Sequence, residues 1–296
     1  MPGLYPRGME HLRVLANGVD HHVARLGSGP PLLLMHGWPE FWRTWEPVMA
    51  RLATRFTLIA PDFRGFGESA KPEGDRPSAG AGSAVLAADM LALLDALGIA
   101  RVGLVGHDVS ASVIQEMARA TPDRFSGIFC FDCPHPGIGR RWIEAGHVRE
   151  VWYQYFHQLP WAASLIGASR ETCRLYFEHF LCHWSVRQDW VDGALDAWVD
   201  NFMRPGNLQG GFNWYISRNA ARMAEASGAA RALPRITVPT RIRWGDSAVL
   251  PSAWGDTLGE TFADLDFAPL TGVGHFPHRE DPDRAAAEIG GFFEGR

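Results

Sequence analysis

Six short apolar runs, each closed by turn residues, constrain this chain more than any other feature. They are Pro31–Met35, Phe56–Ala60, Arg101–Val105, Ser126–Phe131, Thr240–Trp244 and Leu265–Leu270. Continuous runs of this length suit strands that are covered on both faces, as in a parallel sheet. Helical patterns alternate with them. From Ser83 on, Leu86, Met90, Leu93, Leu94 and Leu97 fall on one face, and Gly98 terminates that helix. Ser110–Ala120 continues as a helix that ends at Thr121-Pro122, and an amphipathic helix from Pro282 to Phe293 closes the chain. Residues 10–75 otherwise read as strands and turns. Alternation of this kind predicts βαβ units and a mostly parallel, doubly wound sheet, an α/β fold.

The alternation breaks at Cys133-Pro-His-Pro136 and resumes after Pro234. Residues 134–235 have a helical texture throughout and hold seven of the 12 tryptophans and four of the 5 tyrosines. The expected organisation is an α/β core made of residues 1–133 and 236–296, with 134–235 inserted as a helical cap. A chain of 296 residues, 46% of them hydrophobic, buries enough apolar surface to need neither disulfide nor metal for its fold. Surplus indole in the insertion predicts an apolar, aromatic-walled pocket and a small apolar substrate.

Charge and cysteine content exclude several classes. With 28 basic against 33 acidic residues, a net charge of −5 and no basic block, nucleic acid is not an expected partner. No stretch approaches the ~20 apolar residues of a membrane span. The opening Met1–Arg7 has no apolar leader, so the expected location is cytoplasmic. Cys130, Cys133, Cys173 and Cys182 read as reduced, mostly buried thiols. The Cys130/Cys133 pair has metal-like spacing but lacks the second pair of a tetrahedral site. No cofactor or metal is expected, and a homodimer is compatible with the composition.

Chemistry concentrates where apolar runs end. Gly106-His107-Asp108-Val109-Ser110 joins a buried strand to a helix, the position of a nucleophile elbow, with Asp at its centre. Taken alone, Asp108 serves equally well as a cap for the following helix. Gly274-His275-Phe276 after the last strand supplies a base in the right chain order. His36-Gly37-Trp38-Pro39 after an early strand lies where a backbone N–H of an oxyanion hole is expected. A carboxylate at the elbow can displace a leaving group at an sp³ carbon and form an ester that water then cleaves, whereas Ser there would give an inert ether. The Asp–His pair therefore selects strained ethers or alkyl halides over ordinary esters.

These motifs resemble the α/β-hydrolase superfamily, specifically its epoxide hydrolase branch and the neighbouring dehalogenases, over nearly the whole chain. His36-Gly-Trp-Pro-Glu40 is similar to the family's HGxP stretch. Asp62-Phe-Arg-Gly-Phe-Gly-Glu-Ser69 is similar to the loop after the fourth strand, and Gly106-His-Asp108 to its Asp elbow. Tyr153–Pro160 and Phe212-Asn-Trp-Tyr215 resemble the two lid segments that hold ring-opening tyrosines. The resemblance implies a covalent alkyl-enzyme ester on Asp108, water activated by His275, and hydrolysis of an epoxide to a vicinal diol. Tyr153 and Tyr215 would be the acids, with Tyr155 as fallback. Trp38 and Val109 would supply the oxyanion N–H groups, with His36 and Trp214 around the substrate. A dehalogenase acting on an alkyl halide or haloacid is the alternative. Haloalkane dehalogenases commonly carry Trp after the nucleophile, and fluoroacetate dehalogenases carry arginines there. This chain has Val109 and Ser112 at those positions. A pocket that binds without turnover is the rival of another class.

The acid orienting His275 has two candidates. Asp132 ends the sixth strand and is preferred. Asp246 lies two residues before Ala248, which occupies the common family position, and reads otherwise as a turn residue. Among other histidines, His107 is expected to pack or hydrogen-bond beside the elbow, and His278 to lie on the surface. His179 and His183 have zinc-compatible i, i+4 spacing without a third ligand and read as surface residues.

Overall fold

The computed structural model describes residues 8–296; Met1–Arg7, read above as free of a leader, lies outside the described residues. Eight strands form one sheet: β1 (Glu10–Ala16), β2 (Val19–Leu26), β3 (Pro31–Met35), β4 (Thr57–Pro61), β5 (Val102–His107), β6 (Phe125–Phe131), β7 (Thr240–Trp244) and β8 (Leu265–Pro269). Their spatial order is β1-β2-β4-β3-β5-β6-β7-β8. The β1–β2 and β2–β4 pairs are antiparallel and all the others parallel. All six apolar runs are strands, and β3, β5 and β6 are buried along nearly their whole length.

The flanking helices are α1 (Glu46–Leu52), α2 (Ser83–Ala96), α3 (Val109–Ala120), α4 (Trp152–Phe156), α5 (Ala162–Ile166), α6 (Arg170–His183), α7 (Asp189–Phe202), α8 (Asn207–Ser227), α9 (Pro277–Glu280) and α10 (Pro282–Phe293). Strand order reverses between β3 and β4. Right-handed crossovers therefore put α1 on one face and α2 and α3 on the other. Helix α1 corrects the reading of residues 10–75 as strands and turns alone. Pro47 is tolerated in its first turn, and Val48, Met49 and Leu52 are buried. Five helices, α4 to α8, and a 3₁₀ segment at Pro136–Ile143 occupy the stretch between β6 and β7, as the helical texture indicated.

Register brings the chemistry-bearing loops together. Met35 pairs with Gly106, so the loop after β3 lies beside the elbow after β5. His107 pairs with Phe131, which sets Asp132 next to Asp108. Ligands gather where the strand order of an open sheet reverses, at the carboxyl ends of its strands.

Direct bonds tie the α4–α8 segment to that edge. The Trp198 Nε1–H donates to the Pro39 carbonyl at 2.7 Å, and Asn207 Nδ2 donates to the Gly67 carbonyl at 3.0 Å. The His275 N–H donates to the Trp184 carbonyl at 2.7 Å. Glu280 accepts from the N–H groups of Val186, Arg187, Gly274 and Phe276 at 2.8–3.1 Å, which fastens the His275 loop to the segment. Among the described residues no helix is long and apolar enough to cross a membrane. All four cysteines are free thiols, three of them buried.

Candidate active site

Asp108 sits between β5 and α3 with φ 52°, ψ −115°, a strained conformation for a residue with a Cβ. The turn is possible because its neighbours are small. A Cβ at Gly106 would come within 2.5 Å of Ile114 Cδ1 and 2.7 Å of Ser110 Oγ. Ser110 Oγ braces the elbow by accepting from the His107 N–H at 2.7 Å. The Asp108 side chain makes no capping bond to α3, so the helix-cap alternative is set aside.

Its carboxylate is held from both sides. Oδ1 accepts from the Trp38 N–H at 3.0 Å, while Oδ2 lies 3.8 Å from His275 Nε2, too far for a direct hydrogen bond. Gly37 allows this approach, since a Cβ there would meet Asp108 Cβ at 2.7 Å. The Val109 N–H, first in α3, belongs to the helix-start donors that lack an intrahelical acceptor.

His275 Nδ1 lies 2.7 Å from Asp132 Oδ2, and Asp132 Oδ1 accepts from the Gly245 N–H at 2.7 Å. Burial opposes charge on both partners and raises Asp132 to about 8, so the pair shares one proton across the Nδ1–Oδ2 contact, and with that proton on Nδ1 the ring is the tautomer a general base needs. Burial pushes His275 down to about 3, and Nε2 is left as a free lone pair on a neutral ring. Asp246 is exposed and away from this contact.

Behind the pair lies a buried network that sequence reasoning missed. Glu40, fully buried, accepts from the Gly37 N–H at 2.7 Å and Thr44 Oγ1 at 2.6 Å, and it contacts His107 Nδ1 at 2.7 Å and His278 Nε2 at 2.8 Å. His107 Nε2 in turn donates to the His275 carbonyl at 2.6 Å. Burial opposes a charge on His107, but the Glu40 carboxylate outweighs it and raises the imidazole to about 9. His278, expected on the surface, is fully buried here, with its Nε2 partnered by Glu40 and Thr44. A glutamate four residues past a histidine carries no sign of this role in the sequence.

A cavity of about 60 Å³ opens onto Asp108. Tyr153, from α4, and Trp214 and Tyr215, from α8, line it together with Val109 and Trp142. Tyr153 and Tyr215 meet edge to face at 5.5 Å between ring centroids, and Gln154 Nε2 donates to the Tyr153 hydroxyl at 3.1 Å. Burial, then the nearby Asp108 charge for Tyr153, raises both phenols, so each keeps its proton as a donor. Trp38 stacks on Tyr153 at 5.1 Å between ring centroids.

The other sequence candidates fall elsewhere. Tyr155 is 42% exposed, and its hydroxyl reaches Met223 Sδ instead of the cavity. His36 bonds its own loop through Nδ1 and accepts from the Phe63 N–H through Nε2, so it braces the loop behind Trp38. His179 and His183 stack on the exposed side of α6, and His183 pairs with Glu150. The tryptophan surplus is only partly a pocket wall. Trp142 and Trp214 line the cavity, Trp184 and Trp198 pack inside, and Trp152 and Trp161 are exposed. Arg218, Asn219, Arg222 and Glu225 also line it, so the wall is less apolar than the tryptophan count suggested.

A model described as the alpha/beta hydrolase family matches residues 32–288. A soluble epoxide hydrolase from Corynebacterium sp. (strain C12) is 30% identical over 286 residues, spanning 92% of this chain and 93% of that protein. A fluoroacetate dehalogenase from Burkholderia sp. is 33% identical over 181 residues, 60% of this chain and 59% of that protein. Among solved structures, the epoxide hydrolase CorEH without ligand superposes with a TM-score of 0.82 at 26% identity, over 97% of this chain and 99% of that one.

Proposed function

The chain belongs to the alpha/beta hydrolase family, and on that footing we propose that it opens an epoxide to a vicinal diol through an ester on Asp108. The observation that carries this reading is the joint placement of two protonated tyrosines, Tyr153 and Tyr215, in the cavity that holds Asp108. An alkoxide leaving group needs an O–H donor at that position, and a halide needs none. Residues 134–235 act as the cap over a core made of 1–133 and 236–296.

Asp108 Oδ2 attacks an epoxide carbon and the C–O bond breaks. The departing oxygen takes a proton from Tyr153 or Tyr215. His275 Nε2 then removes a proton from water, whose oxygen adds to the Asp108 carbonyl carbon. The oxyanion forms at Oδ1, where the N–H of Trp38 already donates and that of Val109 joins it. Collapse of this intermediate breaks the acyl C–O bond and releases the diol. The two protons of the water, then on His275 and the new carboxyl group, pass one to the departing alkoxide and one to the tyrosinate.

The direct test is diol formation from styrene oxide set against halide release from chloroacetate and fluoroacetate. Diol alone supports the reading, and halide release without diol replaces it with the dehalogenase alternative. Tyr153→Phe and Tyr215→Phe should each slow ester formation about 10-fold, and the double substitution about 10³-fold, because one donor partly covers for the other. Pre-steady-state kinetics resolve that step; an unaffected double variant removes the tyrosines from the mechanism. Asp132→Asn should lower kcat about 10⁴-fold by releasing the wrong His275 tautomer. The exposed Asp246→Asn should stay within about twofold of the parent, since it touches nothing in the pair. Reversed effects would reassign the acid.

A further inference from the structure

Arg222 stands out among the cavity residues. It lies on α8 and is only 7% exposed, yet its Nε and Nη2 have no hydrogen-bond partner. Glu225, three residues on, is tied to Arg218 at 2.7 Å instead, and among the described residues Arg222 forms no ion pair. A buried, uncompensated charge is costly, so a chain that keeps one without using it is under strain. Burial accordingly lowers the guanidinium from its ordinary value.

The two unpartnered nitrogens are informative in themselves. Nε–H and Nη2–H point the same way and form the side-on fork that receives both oxygens of a carboxylate. The guanidinium carbon lies 4.8 Å from the centre of the Tyr155 ring, a cation–π contact that holds the group in place while its Nε and Nη2 stay buried without a partner. Tyr155, unsuited to the role of acid, gains a positioning role here. Asp108 is already an anion in the same cavity, which favours a singly charged ligand group over a phosphate dianion.

We propose that Arg222 determines specificity by binding a carboxylate on the substrate, so that the substrate class is an epoxy acid. This rests on the epoxide reading above and replaces the wholly apolar substrate inferred from tryptophan content. Tyr215 and Arg222 lie seven residues apart on one helix, about 10 Å at the backbone, and arginine side chains lean back toward the helix start. The carboxylate and the reacting carbon are thus separated by a spacer of several atoms, and the aromatic wall contacts that spacer. A haloacetate, whose carboxylate is one bond from the reacting carbon, does not span this distance.

The test compares para- and meta-carboxystyrene oxide with para-methylstyrene oxide on the parent, Arg222→Met and Arg222→Lys. The parent should prefer one carboxylate isomer by about 10-fold or more in kcat/KM. Arg222→Met should lose about 100-fold on that isomer, mostly in KM, with para-methylstyrene oxide unchanged within about threefold. Arg222→Lys should fall between, keeping the charge without the fork. The Tm of Arg222→Met should hold or rise, since an unpaired buried charge is removed. Equal losses on charged and neutral substrates, no preference in the parent, or a Tm fall of more than about 2 °C would each overturn the proposal and mark a packing residue. If no epoxide is opened, the epoxide reading fails separately. Calorimetry with benzoate and benzamide then decides this inference: benzoate binding lost in Arg222→Met upholds the carboxylate site, and its absence in the parent overturns it.

Discussion

Asp108→Asn should abolish turnover, lowering kcat about 10⁴-fold or more, while leaving the fold and its Tm unchanged. The separation of chemistry from stability follows from the elbow. Asparagine is among the few residues that tolerate the positive φ found there, 52°. Its amide oxygen can still accept from the Trp38 N–H that now bonds Oδ1. What disappears is the second oxygen's negative charge, the nucleophile at Oδ2. A variant with this geometry and no activity therefore locates the loss in the chemistry. Activity within about tenfold of the parent would rule Asp108 out as nucleophile.

His275→Gln divides the reaction differently. The ring lies 3.8 Å from Asp108 Oδ2 and need not touch the substrate in the first step. Ester formation should persist, hydrolysis should stall, and intact-mass spectrometry should find one substrate mass added to the protein. Combining the substitution with Asp108→Asn should remove the adduct. In the parent, single turnover in labelled water should put the label in the Asp108 carboxylate and leave the first diol unlabelled, because the acyl bond is the one cleaved. Label in the first diol would instead indicate direct attack of water on the epoxide.

The sequence was legible where function depends on local pattern and opaque where it depends on distant contacts. The strand runs, the small residues around Asp108 and the place of Asp132 at a strand end are local, and each foretold a structural feature. His278 was misplaced because its burial depends on Glu40, 238 residues away along the chain. Helix α1 was missed because Pro47 suggests a turn unless its place in the first helical turn is known. Composition misled in one respect. Seven tryptophans in the insertion suggested an apolar wall, but only Trp142 and Trp214 line the cavity, and α8 brings Arg218 and Arg222 to it at positions with no distinguishing neighbours.

Glu40→Gln should be the most destabilising single substitution near the site, at about 3–5 kcal/mol, because it strips a buried cation of its counter-charge. For a chain of this size that is a fall in Tm of roughly 10 °C. The amide retains an acceptor for the Gly37 N–H and Thr44 hydroxyl, so the loss falls on His107 and His278, not on the loop. The pH dependence gives a second, independent sign. His107 in the folded protein titrates near 9, above the roughly 6.5 of an unfolded histidine. Its stabilising contribution is complete below about pH 6.5 and disappears as pH rises through 9. Glu40 is held well below the ordinary carboxylate range because His107 and His278 outweigh the opposing effect of burial. Its contribution is present above the unfolded value near 4.3 and is lost as pH falls through the folded one. Chemical denaturation of the parent from pH 6.5 to 9.5 should therefore show stability declining by about 3 kcal/mol. Glu40→Gln should start lower and decline much less, since His107 without its partner is already neutral. If both proteins fall in parallel, the alkaline loss belongs to another group, and the Glu40–His107 pair does not hold the loop of the oxyanion donor against the elbow by charge.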